Sequence, residues 1–241
     1  MRGVTVVVTV VAVVVGAVIA GGLSGCGPVP ATDVGRALFF DPRTSSSAFN
    51  AVSCSTCHDD GTETDTARIF SGHSVINSVK RSSWWGAQAP RLKDAVDHCL
   101  VLFMREPAPL ADDDPRGRAL YEYLLSLSPT PQQGLPFTIV ENVTSLARGD
   151  PRRGEQVWNL GCQSCHGAPH TGDGRLSDLI SVVPESSAEF AEQAGFPIDV
   201  VLVEKVRHGL FFGVGGNMPP FGTEMLSDED LGALLAFLLP Q

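Results

Sequence analysis

Cys162-Gln163-Ser164-Cys165-His166 decides how this chain is read, and Cys54-Ser55-Thr56-Cys57-His58 repeats the pattern in the first half. Each places two thiols three positions apart, roughly one helical turn, with an imidazole directly after the second. A Cys-x-x-Cys pair alone serves as a redox couple or as half of a zinc site. A His following at once, twice in one chain, argues against both. Two disulfides are the bland alternative, and the pattern does not need them. What it does suit is addition of both thiols to the vinyl groups on one edge of a porphyrin, with the next residue reaching the iron. Two covalently bound haem c groups (iron) are therefore expected. Cys54, Cys57, Cys162 and Cys165 would attach them, and His58 and His166 would ligate the metal.

Six Cys are present, and two lie outside these motifs: Cys26 and Cys99. Cys26 closes the N-terminal leader. Arg2 precedes an uncharged run from Val4 to Ala20, and Leu23-Ser24-Gly25-Cys26 follows. An apolar run ending in small residues reads as a secretory signal over residues 1–25. The run approaches the ~20 apolar residues of a membrane span, so an uncleaved anchor is the alternative. The Leu-Ser-Gly-Cys ending resembles a bacterial lipobox, which implies cleavage before Cys26 and acylation of that residue. Either reading places the folded part on the periplasmic side of a bacterial membrane, tethered to it. Gly27 after the Cys, where inner-membrane lipoproteins carry Asp, favours the outer membrane by the same resemblance.

The chain of 241 residues carries a formal charge of −10. Removing residues 1–25 takes away only Arg2 and leaves −11. Such a surface disfavours nucleic acid and steers basic partners towards it. Mean hydropathy is +0.10, raised by the leader.

Pro129-Thr130-Pro131-Gln132-Gln133-Gly134-Leu135-Pro136 breaks helix and marks a linker over residues 129–139. It separates a first domain, 26–128, from a second, 140–241. Both halves show one order of parts. Gly35-Arg36-Ala37-Leu38-Phe39-Phe40 precedes the first motif, and Arg118-Ala119-Leu120-Tyr121-Glu122-Tyr123-Leu124-Leu125 closes that half as an amphipathic helix. In the second half Asp150-Pro151 opens a helix as N-cap and N1 residues. Ser227 with Asp230 caps the last one, whose Leu231, Leu234, Leu235 and Leu238 share a face. Strand signals are few, so the fold is expected to be mainly α. Asp112-Asp113-Asp114-Pro115 reads as a turn and helix start, and His170 and His208 as structural or exposed.

This order resembles class I cytochrome c: helix, haem motif, ligand loop, helix. The resemblance implies two tandem cytochrome c-like domains, each wrapped around one covalent haem, with Gly35 and Gly154 at helix crossings opposite Tyr123 and Phe237. Gly215-Gly216-Asn217-Met218-Pro219-Pro220-Phe221 looks like the Met-ligand loop of that class, which makes Met218 the distal ligand of the second haem. No Met-Pro loop occurs in the first half. Candidates there are Cys99, His73, Met104 and His98, or an open site. The stretch Leu92–Met104 resembles the segment of thiosulfate dehydrogenases and of the haem subunit of the sulfur-oxidising system that donates a Cys thiolate to iron, which implies Cys99. Burial alone also accounts for an odd Cys. Trp84-Trp85 could pack on the first haem, and Arg81 and Arg91 could pair propionates.

Residues 35–45 and 52–59 are similar to the opening of bacterial dihaem cytochrome c peroxidases. The mixture implies a dihaem cytochrome that transfers electrons between periplasmic or membrane redox proteins. A dihaem oxidoreductase, reducing peroxide or oxidising thiosulfate at the first haem, and a haem subunit of a larger membrane complex are the rival expectations.

Overall fold

The computed structural model describes residues 28–62, 67–210 and 216–239. The leader, the lipobox Cys26 and Gly215 lie outside these residues. Among the described residues the fold is mainly helical, and extended pairing is confined to two isolated bridges, Arg81 with Gln132 and Trp84 with Ala89. No described helix is long and apolar enough to cross a membrane.

Two helix pairs carry the architecture. In the first half α1 (Ala31–Phe40) packs against α4 (Pro115–Ser126). Helix α1 stops because Pro42 follows and pushes Asp41 into extended backbone. Helix α4 starts at Pro115, where the Asp114 carboxylate accepts from the Arg116 amide at 2.8 Å. The axes meet at Gly35. A Cβ there would stand 2.7 Å from both the Ala119 carbonyl carbon and Tyr123 Cβ, so only glycine allows the approach. The Phe39 and Tyr123 rings close the seam, 5.6 Å apart.

The second half repeats this with α5 (Pro151–Val157) against α9 (Asp228–Leu238). The Asp150 side chain accepts from the Arg152 amide at 2.9 Å, and Ser227 Oγ from the Asp230 amide at 3.1 Å. Gly154 lies at the crossing: a Cβ would stand 2.6 Å from the Ala233 carbonyl carbon and 2.7 Å from Phe237 Cβ. Leu231, Leu234, Leu235 and Leu238 are all buried, in one core with Val157, Trp158, Leu202 and Phe221.

Shorter helices position the motifs. Helix α2 (Cys54–Cys57) is the first motif itself, opened by Ser53, whose amide donates to Thr56 Oγ1 at 3.0 Å. Helix α3 (Leu92–His98) runs into a π-helical turn over Cys99–Phe103. Another such turn, Trp158–Cys162, joins α5 to α6 (Gln163–His166). Helices α7 (Glu185–Ala194) and α8 (Ile198–His208) complete the second half. The 129–139 segment has no helix but is bonded on both sides. Gln132 and Gly134 amides donate to Lys80 O and Ser82 Oγ, and Thr138 donates twice to the Glu224 carboxylate.

Candidate haem sites

Each motif opens onto a cavity. The first is lined by Cys54 and Cys57 from α2 and His58 at its end, Trp84 and Trp85, Cys99 and Met104, and Leu135 and Phe137 of the linking segment. The second is lined by Cys162, Cys165 and His166 with Trp158, Met218 and Phe221. None of the described cysteines is in a disulfide.

The two imidazoles are held alike. His58 Nδ1 donates to the carbonyl of His73 at 2.7 Å, and His166 Nδ1 to the carbonyl of Ser181 at 3.0 Å, each acceptor fifteen residues downstream. A proton fixed on Nδ1 leaves the Nε2 lone pair for a metal. Burial lowers the pKa of both rings and keeps them neutral, outweighing the carbonyl bonds, which act in the other direction. Gly72 permits the first arrangement, since a Cβ there would stand 2.6 Å from His58 Nδ1. Trp158 steadies the second: its ring lies 6.0 Å from that of His166, and its Nε1 donates to Gly167 O at 3.1 Å.

The thiols sit in apolar surroundings. Burial pushes Cys54 and Cys162 up to about 12 and Cys57 up to about 11. For Cys57 the Cys165 thiol adds to the rise, while Ser71 and the Arg68 guanidinium pull against it. The two motifs are therefore within electrostatic reach of each other. The cavities also share a wall, formed by Val52, Cys57, Ser71, Phe103 and Pro219. Across this boundary the Ile69 amide donates to Leu160 O at 3.0 Å, and Asn217 Nδ2 to Leu102 O at 2.6 Å.

Met218 and His166 line the same cavity. The Met218 loop is held from α8: Leu210 N donates to Met218 O at 3.1 Å, and Phe221 N to Val206 O at 2.8 Å. Gly209 turns there with φ +53°, and a Cβ would meet Pro219 C and Pro220 N at 3.0 Å. Arg207, fully buried, donates to Phe221 O at 3.0 Å, Leu226 O at 2.7 Å and Asp228 Oδ1 at 2.5 Å. The sequence carries no signal for this strut beyond a cation on an apolar helix.

The first-site candidates separate. The Cys99 thiol lines the cavity, and burial pushes its pKa well above the ordinary thiol value, with Cys54 and Cys57 adding to the rise. Met104 lines it too, packed with Leu100 and Leu110. His73 is already committed: its carbonyl serves His58, and its Nε2 is bonded to Pro136 O at 2.7 Å. His98 stands behind Trp85, their rings 6.4 Å apart, and does not line the cavity. Trp84 and Trp85 both face it, and Trp85 stacks on Phe103 at 6.0 Å. Of the two arginines, Arg81 lines the cavity, whereas Arg91 pairs with Asp94 at 2.5 Å on the surface. His208 is buried between Glu204 and the Val140 carbonyl, and His170 pairs with Glu185 in the open.

A single family comparison bears on this geometry. Residues 149–238, which contain α5 to α9, match the family described as cytochrome c oxidase, cbb3-type, subunit III. The chain contains a cytochrome c family domain. A covalently bound haem c and haem-based electron transfer follow for that domain, and His166 and Met218 both lie within it. No curated protein matches the chain. Among solved structures, a thiosulfate dehydrogenase from Marichromatium purpuratum is similar at 18% identity and a TM-score of 0.43, over 86% of this chain and 45% of that one. The chain thus spans less than half the length of that protein.

Proposed function

We propose that the chain is a membrane-tethered dihaem cytochrome c on the periplasmic side, passing electrons between redox partners through two covalent haems. One observation carries the reading. Both motifs present an imidazole fixed by a carbonyl fifteen residues downstream, in cavities that share a wall. Haem c supplies a one-electron iron couple at each site. The protein supplies the rest. Cys54 and Cys57 hold one group and Cys162 and Cys165 the other. His58 and His166 offer Nε2 from one side of each. Met218, which lines the same cavity as His166, would offer a soft thioether from a loop stiffened by Pro219 and Pro220, which would favour the reduced state.

At the first site Cys99 would supply the second ligand to the iron. Its thiol faces the cavity, His73 is bound elsewhere, and Met104 is packed into an apolar cluster. An anionic sulfur favours ferric iron, so the two sites differ in potential. Apart from Ser71 and the Cys57 thiol, the shared wall is apolar. The acylated Cys26 tethers the protein, with the outer membrane favoured. The acidic surface suits periplasmic or membrane redox proteins, not nucleic acid.

Spectroelectrochemical titration of the haem-loaded protein tests the reading, with two separate one-electron waves expected. Assays with peroxide and with thiosulfate accompany it, and no turnover is expected. Turnover of either would replace the carrier by a dihaem oxidoreductase acting at the first site.

A further inference from the structure

We propose that Ser78 and Arg81 form a carboxylate anchor that holds a propionate of the first haem; the proposal rests on the reading of Cys54–His58 as a haem site. Ser78 is 3% exposed and lines the first cavity. Its Oγ is buried without a hydrogen-bond partner. Buried hydroxyls are nearly always bonded, so an orphan of this kind marks a missing acceptor or donor. The rest of the residue is fully used. Its amide donates to Val75 O at 3.0 Å, and its carbonyl accepts from Trp84 Nε1 at 3.0 Å. The Ser78 backbone is therefore held, and its buried hydroxyl is the group left over.

Arg81 lines the same cavity one short turn later. Its Nη2 donates to the carbonyls of Ser74 and Ile76 at 2.5 and 2.9 Å, and its Nε to Gln132 Oε1 at 3.3 Å. These bonds orient the guanidinium and leave Nη1 over. Burial pushes the pKa of the group down, as for a cation withdrawn from water among neutral acceptors. A half-buried cation and an unpaired hydroxyl on one turn suit an anion, through a charge-assisted bond and a second donor. Haem c carries carboxylates on the edge away from its thioethers, so a group fixed by Cys54 and Cys57 brings one to this cavity.

The test uses haem-loaded wild type, Ser78→Ala and Arg81→Gln. Haem content by pyridine haemochrome comes first, and equal content is expected in all three. A first haem missing from the wild type would overturn the haem reading itself, which is a different result from failure of the anchor. Resonance Raman propionate bending modes of the first haem are expected to shift in both variants. Its midpoint potential should fall in Arg81→Gln and fall less in Ser78→Ala, with the second haem unmoved. Ser78→Ala removes a hydroxyl that no protein group uses, so folding is not at stake. Unchanged propionate modes in either variant, with both haems present, would overturn the anchor.

Discussion

Gly72→Ala perturbs His58, the proposed iron ligand of the first site, without altering any residue of the motif. Gly72 does not use a positive φ, so alanine strains no backbone there. The effect is steric. The added Cβ would stand 2.6 Å from His58 Nδ1 and 3.0 Å from Nε2. Ordinary contact lies near ~3.5 Å, so the ring must retreat by about 1 Å. The loop cannot yield easily, because the Gly72 amide donates to Cys57 O at 3.0 Å. A 1 Å retreat takes Nδ1 from 2.7 Å to beyond hydrogen-bonding range of the His73 carbonyl. The lost bond is worth about 0.5–1.5 kcal/mol and the overpacking about 1–3 kcal/mol. Stability should therefore fall by about 1.5–4.5 kcal/mol in urea unfolding of the haem-loaded protein. Loss of the Nδ1 bond also makes the imidazole a weaker donor to iron. The midpoint potential of the first haem should then rise while that of the second stays fixed. A variant with wild-type potentials and wild-type unfolding would refute the proposed role of the carbonyl clamp.

Gly35→Ala and Gly154→Ala place a methyl against backbone at the two helix crossings, and each should lose about 1–3 kcal/mol by denaturant unfolding; wild-type stability in either would show that the crossing can widen freely. Met218→Ala should lower the potential of the second haem and leave the first unchanged. Cys99→Ala should abolish a low-spin thiolate EPR signal from the first haem and raise its potential; an unchanged spectrum excludes Cys99 as ligand. Glu106 is buried, which raises its pKa, but bonds from the Ser46 amide and neighbouring hydroxyls and the Arg116 charge outweigh this and hold it below its ordinary value. Its contribution is therefore full above the unfolded carboxylate range near ~4.3 and lost as pH falls through the folded value. Glu106→Gln should cost about 1–3 kcal/mol at neutral pH, with the gap closing in acid; a gap independent of pH would contradict this.

The sequence carried the helices well because their signals are local. Asp150-Pro151 and Ser227 are caps within three residues of the amides they bind, and Leu231, Leu234, Leu235 and Leu238 mark a face by period alone. Gly35 and Gly154 were legible through the resemblance, since nothing near them in sequence shows the opposing carbonyl. What holds the imidazoles was not legible. The acceptors are the backbone carbonyls of His73 and Ser181, and a carbonyl leaves no mark on residue type. His73 is a ligand candidate by its ring, yet its carbonyl is the part that meets His58. The segment 129–139 read as a linker from its prolines, but Leu135 and Phe137 line the first cavity, a long-range packing that composition does not encode. Ser78 and Arg207 likewise matter through distant partners.

The most direct test of the central claim is the covalent haem count of the full-length protein, from intact mass and pyridine haemochrome against protein concentration. Two haems per chain are predicted, with Cys54, Cys57, Cys162 and Cys165 all resistant to alkylation after denaturation. Cys54→Ala with Cys57→Ala should leave one haem, bound at Cys162–His166. A single haem in the wild type, with Cys54 and Cys57 open to alkylation, would contradict the dihaem account.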